Sequence, residues 1–405
     1  MLQEVQLTDR SLADYAPIIG RAQIRRLREK AEPLRGKKVL HINATSFGGG
    51  VAEILHALVP LLRDLGIDAR WQVILGNCEF FDVTKGFHNA LHGGEFEMDK
   101  IKETIFCGLN KACAESLEND YDVVIVHDPQ PAAIRHFYPT SNAKWIWRCH
   151  VDTTSANKEV WSFLRPYVEE YDAAVFTLPE FVPKDLTIPK VHIVHPAIDP
   201  LNLKNTRLPA GQARQIAQSF TLDSKRPVLL QVSRFDMWKD PFGVIDVYRL
   251  VKEEFPQLQL ALVGSMATDD PEGWEYFCRV VNYAEGDENI HTLVNMGDIE
   301  VNALQRAASV IIQKSTREAF GLVVSEALWK RKPVVAGKVG GIPLQIQDAE
   351  NGFLAETVED YAAAISLLLK DGDLQKQMGN KAHEWVKQRF LITRLLENDL
   401  DIMSE

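Results

Sequence analysis

No CxxC pair, no block of Lys and Arg, and no apolar run near the ~20 residues of a membrane helix occurs in the sequence. The five cysteines, Cys78, Cys107, Cys113, Cys149 and Cys278, are odd in number, which argues for reduced, mostly buried thiols and a cytoplasmic home. Charge excludes two partner classes: 45 basic against 56 acidic residues leave −11, whereas nucleic acid and anionic membranes need clustered cations. A local site can oppose the global sign, so small anionic ligands stay open. Mixed charges over the first 36 residues speak against a signal peptide. Two phosphate-binding signatures are missing as well. No GxGxxG and no Walker lysine follows a strand-like run, so neither the dinucleotide fingerprint nor a P-loop is expected. The expected partners are small molecules, with no nucleic acid and no membrane; a homodimer is left open.

What the sequence has is length and alternation. Its 405 residues, 46% apolar, suffice for two or three packed domains. Short apolar runs at 37–43, 69–75, 121–127, 144–150, 173–179 and 191–196 read as buried strands, with helical or loop stretches between them. A second series runs through 227–233, 258–264, 289–295, 309–313, 333–337 and 352–356. Such alternation predicts parallel sheets covered on both faces. The expected fold class is α/β: two doubly wound Rossmann-like domains facing across a cleft, with ligand at the strand C-termini. The boundaries expected are 1–200 and 201–387, the last helix (about 388–405) packing back on the first domain. The polar stretch 199–220 is taken as linker.

Four stretches carry candidate chemistry. SFGGGVAE (46–53) turns a strand into a helix, and Gly49 and Gly50 let backbone approach a ligand at that helix N-terminus. A tight structural turn would read the same. In QVSRFDMWKDPFG (231–243), Arg234 and Lys239 stand just past a strand end, where cations suit a diphosphate gaining charge as it leaves a sugar. Two solvated loop charges are the plainer alternative. STREAFGLVVSEALWK (315–330) holds Glu318 in a loop and Glu326 about one turn into a helix. Carboxylates at two depths suit two sets of hydroxyls, with backbone N–H groups near Gly321 meeting the phosphates between. Taken alone, the stretch is better explained by one loop glutamate and one exposed helix glutamate. RCHVD (148–152) and VHDPQP (126–131) place histidines at two strand ends, able to donate to a substrate or simply to cap the sheet. His88 and His92 have a metal-like i, i+4 spacing but no third ligand, so no metal site is expected.

Together these residues resemble a retaining glycosyltransferase of the GT-B architecture, in the group with a glutamate–seven–glutamate motif: REAFGLVVSEAL supplies Glu318 and Glu326, and SRFDMWKD supplies Arg234 and Lys239. HINATSFGGGVAEILHALVPLLRDLGIDARW, VHDPQPAA, WRCHVD, MATDDPEGW and SEALWKRKPVVA narrow the resemblance to the glycosyltransferring trehalose synthases, from about His41 to the C-terminal helix. Ala319 departs from the glycine usual in close trehalose-forming relatives. The resemblance implies that Arg234 and Lys239 hold the donor diphosphate, Glu326 the ribose and Glu318 the donor glucose. It further implies that Gly49 and Gly50 approach phosphate and sugar, and that Gly321 and Leu322 border the nucleotide phosphates. Asn295 lies near the base, His150 and Asp152 flank the reacting sugar, Phe320 borders the substrate, and Gln130 positions the acceptor. The implied donor is a nucleoside-diphosphate glucose, used as substrate with no permanently bound cofactor. Two cations already neutralise its diphosphate, so Mg²⁺ is compatible with the expected mechanism but not required. A retaining trehalose phosphorylase and a non-catalytic sugar-nucleotide sensor are the rival expectations.

Overall fold

The computed structural model describes residues 1–118, 120–138, 142–265, 273–284 and 286–405. The chain divides into two compact units, Met1–Pro196 with Ile392–Glu405, and Ala197–Leu391.

The first unit is built on a seven-stranded sheet of β1 (Leu2–Glu4), β2 (Lys38–Asn43), β3 (Asp68–Ile74), β4 (Val123–His127), β5 (Lys144–Arg148), β6 (Ala173–Phe176) and β7 (Val191–Ile193). The strand order is β1-β3-β2-β4-β5-β6-β7. β1 pairs antiparallel with β3, and the remaining pairs are parallel. Every residue of VVIVH in β4 is buried, as expected where crossover helices cover both faces of a sheet. Those helices start on side-chain caps: Asn77, Asp99 and Asn157 accept first-turn N–H groups of Cys78–Leu91, Lys100–Glu115 and Lys158–Val168. The final helix, Ile392–Ser404, belongs to this unit. Arg148 Nη1, at the end of β5, lies 2.9 and 3.0 Å from the two carboxylate oxygens of Asp399. Both side chains are almost wholly removed from water, where removing one partner would strand the other charge.

The second unit contains β8 (Val228–Val232), β9 (Gln259–Gly264), β10 (Ile290–Val294), β11 (Val310–Gln313), β12 (Val334–Gly337) and β13 (Phe353–Ala355). Its order is β10-β9-β8-β11-β12-β13, all pairs parallel. The chain winds outward from β8 to β10, then crosses back to lay β11 on the other side of β8. Strands β8 and β11 therefore send their following segments to opposite faces, opening a crevice at their C-terminal ends. The same reversal lies between β2 and β4 in the first unit. These two switch points are where the loops carrying the sequence motifs emerge.

All twelve strands read from the sequence are present, and three features differ from expectation. β1 was not foreseen, because LQE offers one half-buried leucine and two exposed polar residues. The stretch taken as linker contains the helix Ala210–Ser219, which buries Ala213 and Ala217 and packs on the helix Asp298–Ala307. Of the cysteines only Cys113 and Cys149 are buried, while Cys78 and Cys278 are exposed; all five are free thiols. Most of MATDDPEGW (266–272) lies outside the described residues. Among the described residues no helix is long and apolar enough to cross a membrane.

Candidate active site

In the second unit, the segment after β8 turns sharply at Asp236, whose carboxylate accepts the N–H groups of Trp238 and Lys239 at 2.9 and 3.1 Å. That turn aims Lys239 at the loop after β11, where Nζ stands 2.5 Å from Glu318 Oε2. Ser315 Oγ donates to the same oxygen at 3.1 Å, and Gln313 Nε2 in turn donates to Ser315 Oγ at 3.0 Å. Gln231, buried on β8, ties the two loops together: Nε2 donates to Lys239 O (3.0 Å) and Oε1 accepts from Lys314 N (3.1 Å). The sequence motifs thus meet at the switch point of this sheet.

Charge is balanced there. Arg234 Nη2 lies 3.3 Å from Asp236 Oδ2, Lys314 pairs with Asp240, and Lys239 pairs with Glu318. These six groups are three cations and three carboxylates, so a bound anion would compete with the acids for Arg234 and Lys239. Backbone N–H groups add to the positive side: Gly321, at φ +80°, begins the helix Leu322–Trp329 without a side-chain cap, leaving first-turn donors at that end.

Glu326 sits one turn into this helix and is 1% exposed, which removes the reading of a solvated helix face. Lys204 Nζ is 3.5 Å from Oε1 and Gln305 Nε2 is 3.5 Å from Oε2. Both contacts are long, so the carboxylate keeps acceptor capacity for a ligand. Phe320 is a core side chain of the unit, its ring edge-on to Phe390 at 5.5 Å. Asn295 is exposed just after β10, at φ +55°, its N–H donating to Gly264 O at 2.8 Å. The backbone of the Glu318 loop rests on Gly340 and Gly341, with Gly341 N donating to Glu318 O at 3.2 Å. A Cβ on Gly341 would stand 2.5 Å from Ala319 O, so only glycine permits this approach.

In the first unit, Gly49 is the extended residue ahead of the helix Gly50–Asp64 and has no side-chain cap. A Cβ added there would meet no atom within 4 Å, so packing does not explain the glycine. Asp152 is buried, with Oδ1 accepting from Thr154 N (3.0 Å) and Oγ1 (2.6 Å). Gln130 follows β4, and its Oε1 is buried without a hydrogen-bond partner among the described residues.

His150 is the end of a row. His41 Nδ1 is 3.0 Å from His127 Nε2, and His127 Nδ1 is 3.1 Å from His150 Nε2. The rings stack at 5.3 and 5.4 Å across β2, β4 and the end of β5. Burial, and next the Arg148 guanidinium, hold His150 well below the ordinary imidazole range, and push His41 down to about 3. Burial likewise lowers His127, followed by its two imidazole neighbours. Asp128, at φ +66°, accepts His150 N–H at 2.7 Å, and desolvation raises it to about 7 despite that bond. His41 entered the sequence reading only as the start of the matching stretch and Asp128 only within VHDPQP, neither with a role, and His127 entered only as one of two strand-end histidines. The visible signal was the polar residue inside or closing each buried run, in KVLHIN and VVIVHD. The rings of His88 and His92 meet edge-on, and no group of three His, Cys, Asp or Glu side chains placed to hold a metal ion occurs among the described residues.

Two doubly wound parallel sheets with these switch-point loops make the GT-B architecture of sugar-transferring enzymes. The fold aligns with a sucrose-phosphate synthase from Thermosynechococcus elongatus at TM-score 0.71 and 18% identity, over 91% of this chain and 98% of that one. Residues 41–183 match the family described as trehalose synthase, N-terminal domain, and residues 212–385 match glycosyl transferases group 1. The chain is 51% identical to a trehalose synthase of Rubrobacter xylanophilus, over 100% of this chain and 99% of the relative. It is 47% identical to one of Pyrococcus horikoshii, over 100% and 98%. The chain belongs to the trehalose synthase family of glycosyltransferases.

Proposed function

We propose that this hexosyltransferase moves glucose from a nucleoside diphosphate to free glucose, forming trehalose reversibly and with retention at the anomeric carbon. The observation that carries this reading is the Lys239–Glu318 pair at the switch point of the second sheet, in a chain alike over its full length to enzymes named trehalose synthase. Arg234 and Lys239 take the diphosphate, helped by N–H groups at Gly321 and Leu322. Glu326 accepts the ribose hydroxyls, and Glu318 the hydroxyls of the donor glucose. In the first unit, His150 and Asp152 flank the reacting sugar, Gly49 and Gly50 lie along it, and Gln130 meets the acceptor.

The reaction proceeds by front-side displacement. The acceptor hydroxyl oxygen bonds to the anomeric carbon as the bond to the diphosphate breaks. The departing phosphate oxygen takes the hydroxyl proton, and Arg234 and Lys239 stabilise the charge it gains. No carboxylate nucleophile of the hydrolase kind is involved. No resident cofactor is needed, and Mg²⁺ is not required.

A panel of ADP-, UDP- and GDP-glucose with glucose as acceptor tests the reading, products being separated by chromatography. Trehalose from at least one donor, and nucleotide-dependent breakdown of trehalose, are expected. If glucose 6-phosphate or fructose proves the only productive acceptor, the substrate assignment fails. Release of glucose 1-phosphate from trehalose and inorganic phosphate without nucleotide would identify a phosphorylase instead.

A further inference from the structure

The row of imidazoles fixes more than the position of His150. Each ring, kept neutral, carries one N–H and one bare nitrogen. Two hydrogen bonds joining three such rings allow only two arrangements, with every N–H pointing toward His150 or every N–H pointing toward His41. The ends decide between them. His41 Nε2 is buried and has no partner among the described residues, and a buried orphan N–H is rarer than an under-satisfied acceptor. The favoured arrangement leaves His41 Nε2 bare, with Nδ1–H donating to His127 Nε2 and His127 Nδ1–H donating to His150 Nε2. His150 Nδ1 then carries the proton. It donates to no protein acceptor among the described residues, and His150 is only half-buried.

We propose that His41 and His127 are positioning residues that lock His150 as a neutral Nδ1–H donor toward the reacting sugar, an inference that rests on the sugar-side role given to His150 above. The consequence is chemical. With Nε2 occupied by His127 and Nδ1 already protonated, His150 can stabilise a hydroxyl oxygen but cannot remove a proton from the acceptor. The acceptor proton is thereby left to the departing phosphate oxygen, as front-side displacement requires. Burial and the Arg148 charge act in the same direction by keeping all three rings uncharged, and cooperativity along the row strengthens each bond.

The full-length protein labelled with ¹⁵N in the histidine rings reports the tautomers directly by long-range ¹H–¹⁵N correlation, the three residues being assigned from single variants. A pyrrole-type signal at Nδ1 and a pyridine-type signal at Nε2 are expected for all three rings. The reverse pattern, or a protonated His150 at neutral pH, overturns the proposal whether or not trehalose is made. His127→Phe keeps a stacked ring and removes both hydrogen bonds. It is expected to mix the His150 tautomers and, by weakening one oriented hydrogen bond, to lower kcat about tenfold, with donor KM little changed, while His127→Gln, which can accept and donate, restores part of kcat. Unchanged His150 tautomer and kcat in a folded His127→Phe protein would equally sink it. A correct tautomer pattern in a protein that transfers no glucose would leave the row intact and refute the assigned reaction instead.

Discussion

Gly340→Ala tests how the Glu318 loop is held, at a residue that itself bears no reactive group. Gly340 has φ +49°, and a Cβ built on it would lie 2.8 Å from the carbonyl carbon of Glu318 and closer still to its oxygen. Both are backbone atoms, so no side chain can swing aside. Relief requires moving the Glu318 loop by about 1 Å, a displacement that can cost ~100-fold when it carries a positioned reacting group. The left-handed backbone adds about 1–2 kcal/mol of strain for alanine, and the overpacking about 1–3 kcal/mol. Thermal denaturation should therefore show a clearly lowered Tm, and glucose transfer measured well below that Tm should show the larger loss, in kcat. Gly372→Ala is the control, since a Cβ there meets nothing within 4 Å at an ordinary φ at the start of the helix Gly372–Arg389; it should leave kcat unchanged and Tm unchanged or slightly raised. Wild-type turnover in a folded Gly340→Ala protein would refute the argument that Glu318 is positioned by this contact.

Arg234→Ala and Lys239→Ala should each lose about 3–4 kcal/mol of transition-state stabilisation, seen as a 10²–10³ fall in kcat with little change in Tm; near-normal turnover would mark them as bystanders. Glu326→Gln should raise chiefly the donor KM, because ribose hydroxyls are remote from the breaking bond, while Glu318→Gln should depress kcat beside the developing charge. The opposite split in steady-state kinetics would reverse the two assignments. Asp128 gives a pH test. Its folded value is raised from 3.8 to about 7 by desolvation, so the native state holds an extra proton between those values and stability is lost as pH rises through that window. Asp128→Asn keeps the acceptor for His150 N–H and should remove this loss, so the Tm difference between variant and wild type should grow from about pH 4 to 7; a constant difference would exclude the shift.

The sheets were legible because buried parallel strands write themselves as continuous apolar runs, VVIVH and VIIQ among them, and these patterns need no knowledge of distant partners. Local geometry was legible too: the position of Glu318 in a loop and of Glu326 one turn into a helix follows from the order strand, loop, helix. Whether those carboxylates face water was not, since STREAFGLVVSEALWK does not say that Lys239, 79 residues earlier, reaches Glu318, or that Gly340 and Gly341 lie under its backbone. β1 escaped because an edge strand is defined by the strand it pairs with rather than by its own three residues. The helix Ala210–Ser219 escaped because its two buried alanines are too small to write an apolar stripe. The imidazole row shows the division most plainly. His41 and His127 lie on β2 and β4, and His150 lies two residues past β5. The register sets His41 opposite Ile125 and His127 opposite Arg148, so each imidazole stands two residues beyond its neighbour's partner, on the same face, in a diagonal row where each ring's proton is decided by the next.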